Sequence, residues 1–117
     1  MTAPIIATLV SLVPFSPDES PRIVELCSGD GRLAEALLTN FPGATLAALE
    51  GDALRRQHVT ERLTAFGDRA RVVAFDMTTL DWWDRMFGAD LVVSAYGVSR
   101  LTDAKKQYLY KAAADRV

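Results

Sequence analysis

Residues 23–37 read IVELCSGDGRLAEAL: a short apolar run enters a turn holding an acid, a cysteine and two glycines, and an amphipathic stretch leaves it. Arg22–Leu26, with Ile23, Val24 and Leu26, reads as a strand buried in a sheet, whereas Leu33, Ala36, Leu37 and Leu38 recur at the period of a helix. A strand that feeds a helix through glycines is the first part of a βαβ unit, so this junction predicts an α/β fold with a parallel sheet.

The same alternation extends outward on both sides. The helix over Arg32–Asn40 closes at the turn residues 41–44, FPGA, and a second strand follows over Thr45–Leu49. Asp52 stands where it can cap a helix over Ala53–Phe66, which exposes Arg55, Arg56, Gln57 and Glu61 and stops at Gly67–Asp68. Arg71–Phe75 reads as a third strand, Asp90–Ala95 as a fourth, and Thr102 opens a last helix over Asp103–Arg116. Toward the N-terminus, a helix starting near Pro4 puts Ile5, Ile6, Leu9, Val10 and Val13 on one face and ends at Pro14 and Pro17. That apolar run falls short of the ~20 residues a membrane span needs and has no basic segment before it, so neither a targeting signal nor a membrane partner is expected.

Composition narrows the class. The chain has 117 residues, half of them hydrophobic and a quarter charged, which fits one domain over residues 1–117, with 1–21 as its N-terminal helix and linker. A net charge of −2 lacks the basic footprint that holds a polyanion, so nucleic acid is not the expected partner. Cys27 and His58 are the only residues of their kinds, which excludes an intrachain disulfide and a Cys/His metal cluster and fits a cytoplasmic protein. Cys27 reads as a small packing residue in the turn, and His58 as solvent-exposed on its helix.

Ligands of an open parallel sheet bind beyond the carboxyl ends of its strands. In this sequence those ends carry Glu25 to Gly31, Glu50, Asp76 and Ser94 to Tyr96. Taken singly, each has a structural explanation, because glycines serve turns and acids cap helices. Four such ends in succession describe a site.

At these residues the chain resembles the class I S-adenosylmethionine-dependent methyltransferases. The family's acid-x-Gly-x-Gly-x-Gly motif is matched by ELCSGDG at 25–31, with Glu25 as the acid, Cys27 in the place of the first glycine, and Gly29 and Gly31 as the others. LAALEGD, VVAFDM and ADLVVSAYGVSRL continue the match at the second, third and fourth strand ends, and residues 101–117 look like the family's next helix. The resemblance implies a Rossmann-like three-layer sandwich with strand order 3-2-1-4. Family members have seven strands and only four are read here, so the chain is expected to be truncated relative to that fold. Asp90–Ala95 would then be an apolar edge strand through which copies could associate.

The implied cofactor is S-adenosylmethionine, whose sulfonium and ammonium outweigh its carboxylate and favour an acidic pocket. Its expected contacts are Glu25, Cys27, Gly29, Asp30, Gly31, Glu50, Gly51, Asp76, Met77 and Ser94. By the family pattern, Gly29 and Gly31 admit the methionine part, Glu50 accepts from both ribose hydroxyls, and Asp76 accepts from the adenine amino group beside the Met77 backbone. Ser94 would lie near the ammonium. Trp82 and Trp83 would cover the adenine side and the sheet edge. Tyr96, Ser99 and Arg100 would face the transferred methyl. Methyl transfer from a sulfonium needs positioning and desolvation more than a protein nucleophile, so no catalytic residue is required. SAYG at 94–97 replaces the Asn-Pro-Pro-Tyr loop of amine-modifying relatives, and the expected acceptor is a small molecule or a protein.

Two other readings stay open. The chain could be a cofactor-binding remnant or assembly module without turnover. It could also be a dinucleotide-binding protein, since GDGRLA at 29–34 is also G-x-G-x-x-A and Glu50 lies 19 residues beyond Gly31. An acid before the turn and Asp76 after the third strand are features a dinucleotide does not need.

Overall fold

The structure, a computed structural model, describes residues 3–26, 28–74 and 88–94. Its elements follow in the order α1 (Ala3–Ser11), β1 (Arg22–Leu26), α2 (Arg32–Asn40), β2 (Thr45–Glu50), α3 (Ala53–Leu63), a 3-10 turn (Thr64–Arg69), β3 (Ala70–Ala74) and β4 (Leu91–Val93). The four strands are parallel in the order β3-β2-β1-β4, as the alternation of strands and helices predicts. Ile23 lies opposite Leu46 and Leu91, and Glu25 opposite Ala48 and Val93. Because side chains alternate along a strand, this register gathers Ile23, Glu25, Leu46 and Ala48 on one face.

That face carries the helices. Ile23, Leu46 and Ala48 pack against Leu33, Leu37 and Leu38 of α2 and Val59 and Leu63 of α3, with Ile6, Leu9, Val10 and Val13 of the N-terminal segment closing over them. Val24, Leu26 and Leu49 on the opposite face are also buried, as a parallel sheet covered on both sides requires. The helix expected over Asp103–Arg116, and with it the second helical layer of a three-layer sandwich, lies outside the described residues.

Several boundaries depart from the sequence reading for physical reasons. Ile5 does not join the partly buried face of α1 and is 51% exposed. Ile6, Leu9, Val10 and Val13 already form an i, i+3, i+4, i+7 stripe, and at about 100° per residue Ile5 falls roughly 90° from its centre. The helix expected to reach Phe66 is α-helical only to Leu63 and then tightens into the 3-10 turn, which kinks at Gly67, where φ is +59°. Arg69 fixes this exit: its guanidinium donates to the carbonyls of Ala44 (3.0 Å), Leu38 (2.8 Å) and Phe41 (2.9 Å) and lies over the Phe66 ring. β3 consequently starts at Ala70, one residue early, and β2 runs one residue further because Glu50 pairs with Ala74.

Polar clamps set the remaining junctions. Asp52 caps α3 as expected, its Oδ1 accepting from the Arg55 N–H at 2.8 Å, and that bond holds its carboxyl below the usual range. At the start of β4, the Asp90 N–H donates to Arg22 O and Asp90 Oδ2 accepts from the Arg22 N–H, both at 2.8 Å. Among the described residues, no helix is long and apolar enough to cross a membrane.

Candidate functional site at the strand ends

Parallel register brings the carboxyl ends of β1 and β2 side by side, and the loop after β1 joins them. The Ser28 N–H donates to Leu49 O at 3.3 Å, and the Gly29 N–H donates to Glu50 Oε1 at 2.9 Å. The other oxygen, Glu50 Oε2, accepts from the Asp52 N–H at 3.0 Å. Glu50 is only 5% exposed, and two backbone donors fix its orientation. Each oxygen of a carboxylate has a second lone pair, so Glu50 keeps accepting capacity for a ligand.

The two glycines are explained by the path of the loop. Gly29 and Gly31 have φ of +63° and +84°, in the left-handed region that favours glycine. A Cβ on Gly31 would also stand 3.3 Å from Arg62 Cδ and 3.4 Å from Val59, so α3 lies close enough that a side chain there would press on it. Arg62 Nε donates to Asp30 O at 2.9 Å. Asp30 itself turns toward α2, accepting from the Arg32 N–H at 3.1 Å and pairing with Arg32 Nε at 3.2 Å. Arg56 Nη1 donates to Glu50 O and Gly51 O at 3.0 and 2.9 Å, which anchors the exposed Gly51 at the end of β2. Sequence reasoning assigned nothing to Ser28 and took Arg56 for a solvent-facing residue. Its spacing, six residues after Glu50, is the one sign that its helix could return to the strand end.

Glu25 is the chemically unusual group. It is 0% exposed, and among the described residues neither carboxylate oxygen has a hydrogen-bond partner; the buried hydroxyl of Ser28 has none either. Burial is the main cause that pushes the Glu25 pKa up to about 8; the Ser28 hydroxyl, near but outside bonding geometry, pulls it down, and the charges of Asp30 and Glu50 raise it further. At neutral pH, in the absence of ligand, the carboxyl therefore holds its proton. The acid that the sequence reading counted as a negative charge is a neutral one in this fold.

At the end of β4, Ser94 Oγ donates to Leu26 O at 3.0 Å, which places this residue beside the end of β1. Glu25, Gly29, Asp30, Gly31, Glu50, Gly51 and Ser94 are thus assembled at adjoining strand ends. Cys27, Asp76, Met77, Tyr96, Ser99 and Arg100, like Trp82 and Trp83, lie outside the described residues. His58 is exposed, as expected.

Two cavities are lined by described residues. One, of about 500 Å³, opens between α1 and α2 beside Ile6, Val10, Glu35 and Asn40; the other, of about 240 Å³, is lined mostly by Leu9, Leu33, Leu37 and Val93. Neither includes Glu25 or Glu50, and the smaller one reaches the site only at Ser94, at the end of β4. The strand ends are the stronger candidate because they hold a buried acid without a partner, whereas the charged groups of the larger cavity are already engaged, Arg62 with Glu35 at 3.7 Å and Arg32 with Asp30.

No protein-family model matches the sequence. Among curated proteins, the chain is 42% identical over 62 residues to ribosomal RNA small subunit methyltransferase H of Streptomyces avermitilis, covering 53% of this chain and 20% of that protein. It is 40% identical over 73 residues to the release factor glutamine methyltransferase of Mycolicibacterium smegmatis, covering 62% of this chain and 25% of that protein. The chain thus spans about a fifth to a quarter of the length of these relatives. Among solved structures, the precorrin-6y C5,15-methyltransferase of Geobacter metallireducens superposes with a TM-score of 0.79 at 14% identity, covering all of this chain and 58% of that one. The homologues and structural neighbours of this chain are class I S-adenosylmethionine-dependent methyltransferases, and the chain carries their Rossmann-like fold.

Proposed function

We propose that the protein is an S-adenosylmethionine-dependent methyltransferase and that this chain binds the cofactor across the carboxyl ends of β1 and β2. The observation that carries the reading is the pair of buried carboxyls, Glu25 and Glu50, bridged by the Gly29–Gly31 turn. Glu50, oriented by the Gly29 and Asp52 N–H groups, is suited to accept from the two ribose hydroxyls. Gly29 and Gly31 admit the methionine part, and Glu25 and Ser94 stand on its cationic side. Asp30 and Gly51 complete the rim of the cradle, while Cys27 is assigned to the cofactor's methionine side and Asp76 and Met77 to the adenine. Tyr96, Ser99 and Arg100 are assigned to the acceptor side.

The residues at the cradle bind, orient and exclude water, which suffices for an in-line displacement at an activated sulfonium. The acceptor is RNA or protein. This widens the expectation drawn from net charge, because the relatives are named for ribosomal RNA and for a release factor, and a net charge of −2 does not prevent a local basic surface. Calorimetric titration with S-adenosylmethionine is expected to show micromolar-range binding, weakened at least about 100-fold in Glu50→Ala through loss of two charge-assisted hydrogen bonds. Wild-type protein that gives no binding heat, or a Glu50→Ala variant that binds as wild type, refutes the reading.

A further inference from the structure

We infer that the Glu25 carboxyl couples cofactor binding to proton release: it is protonated without ligand and surrenders its proton to solvent when a ligand bearing an ammonium charge settles at the end of β1. This rests on the S-adenosylmethionine reading above and adds to it a linkage between binding and pH. The geometry supplies the reasons. Both oxygens of Glu25 are buried without a partner among the described residues, and its neighbours across the sheet, Ala48 and Val93, are apolar.

Among the described residues, the charged groups around it do not stabilise an anion there. Glu50 at the end of β2 and Asp30 in the loop are both acids, and each raises the Glu25 pKa, which stands at about 8. Of the cations on the packed helices, Arg32 is paired with Asp30, Arg62 binds Asp30 O and faces Glu35, Arg56 binds the carbonyls of Glu50 and Gly51, and the charge of Arg55 acts on Asp52. An ionised Glu25 would therefore be a desolvated charge beside like charges.

A cationic ligand reverses that balance. It supplies an opposite charge and hydrogen-bond donors, and the unpartnered Ser28 hydroxyl can then donate to the same carboxylate. On binding, the Glu25 O–H bond breaks, the proton passes to bulk buffer, and the carboxylate pairs with the ligand ammonium. No oxidation or reduction is involved. The consequence is that affinity increases with pH over the range in which Glu25 is protonated in the free protein.

The test uses S-adenosylhomocysteine, which carries the ammonium and cannot react, and 5′-methylthioadenosine, which lacks the amino-acid part. Calorimetry near pH 6.5, in buffers of low and high ionisation enthalpy, counts the protons exchanged. Wild-type protein is expected to release about one proton per S-adenosylhomocysteine, with affinity rising about tenfold per unit from pH 5.5 to pH 7, below the range where an α-amino group itself titrates. Methylthioadenosine is expected to release none. Glu25→Gln should bind S-adenosylhomocysteine with no proton release and a flat pH profile.

Wild-type binding of S-adenosylhomocysteine without proton release overturns the inference and leaves the cofactor reading in place. Absence of that binding overturns both. Proton release that persists in Glu25→Gln overturns the assignment to this residue, and the wild-type count stands on its own if that variant does not fold.

Discussion

A single residue at the turn can be constrained twice over, and Gly31 is the example. Its φ of +84° disfavours any side chain, and the space where a Cβ would go is already bounded by Arg62 and Val59 at 3.3–3.4 Å. The family motif led us to expect ligand access as the reason for this glycine; helix approach is a second reason, independent of any ligand. Gly31→Ala should therefore destabilise the protein by about 1–3 kcal/mol, the left-handed penalty plus displacement of Arg62 from Asp30 O. Urea unfolding measures this, and a midpoint equal to wild type would mean that the loop has an alternative path. The chemistry of Glu25 is the counterpart. Its position was legible from the sequence, but its protonation was not, because the burial that chiefly causes it, and the approach of the carboxyls of Asp30 and Glu50, exist only in the fold.

At the scale of elements, legibility followed the strength of the periodic signal. The spans of β1 and α2 match the sequence reading residue for residue, since both have strong patterns and are bounded by the glycine turn. The end of α3 does not, because it is set by Arg69, a distant side chain that gathers three carbonyls from the end of α2 and the following loop. No local pattern announces such a contact. The clamp stabilises the C-terminus of α2, whose carbonyls no basic residue of its own last turn serves. Arg69→Ala should cost about 2–4 kcal/mol by leaving those carbonyls without their charged donor. Arg69→Lys, lacking the planar fork, should recover less than half of the loss. Thermal unfolding of the two variants decides this, and full recovery by lysine would show that charge alone, without the fork, holds the turn.

For the whole molecule, the buried acid makes stability a function of pH in a direction opposite to that of most carboxylates. Glu25 has a folded pKa of about 8 against an ordinary 4.5, so between these values the folded state binds more protons than the unfolded one. Stability due to this group is fully present below about pH 4.5 and is lost progressively as pH rises through the folded value near 8. At 1.36 kcal/mol per pH unit the loss is on the order of 5 kcal/mol at most, since relaxation of the site reduces it. Asp52, held below its usual range by the Arg55 N–H, acts in the other direction but titrates only in acid, outside this window. Urea midpoints of the unliganded wild-type protein should accordingly fall from pH 5 to pH 8, and those of Glu25→Gln should stay nearly level over the same range. The amide keeps unpaired polar atoms in the same buried place, so its absolute stability is a poor readout and the slope is the discriminating one. Parallel slopes in the two proteins would show that Glu25 is already ionised in the folded state and that another group sets the pH response.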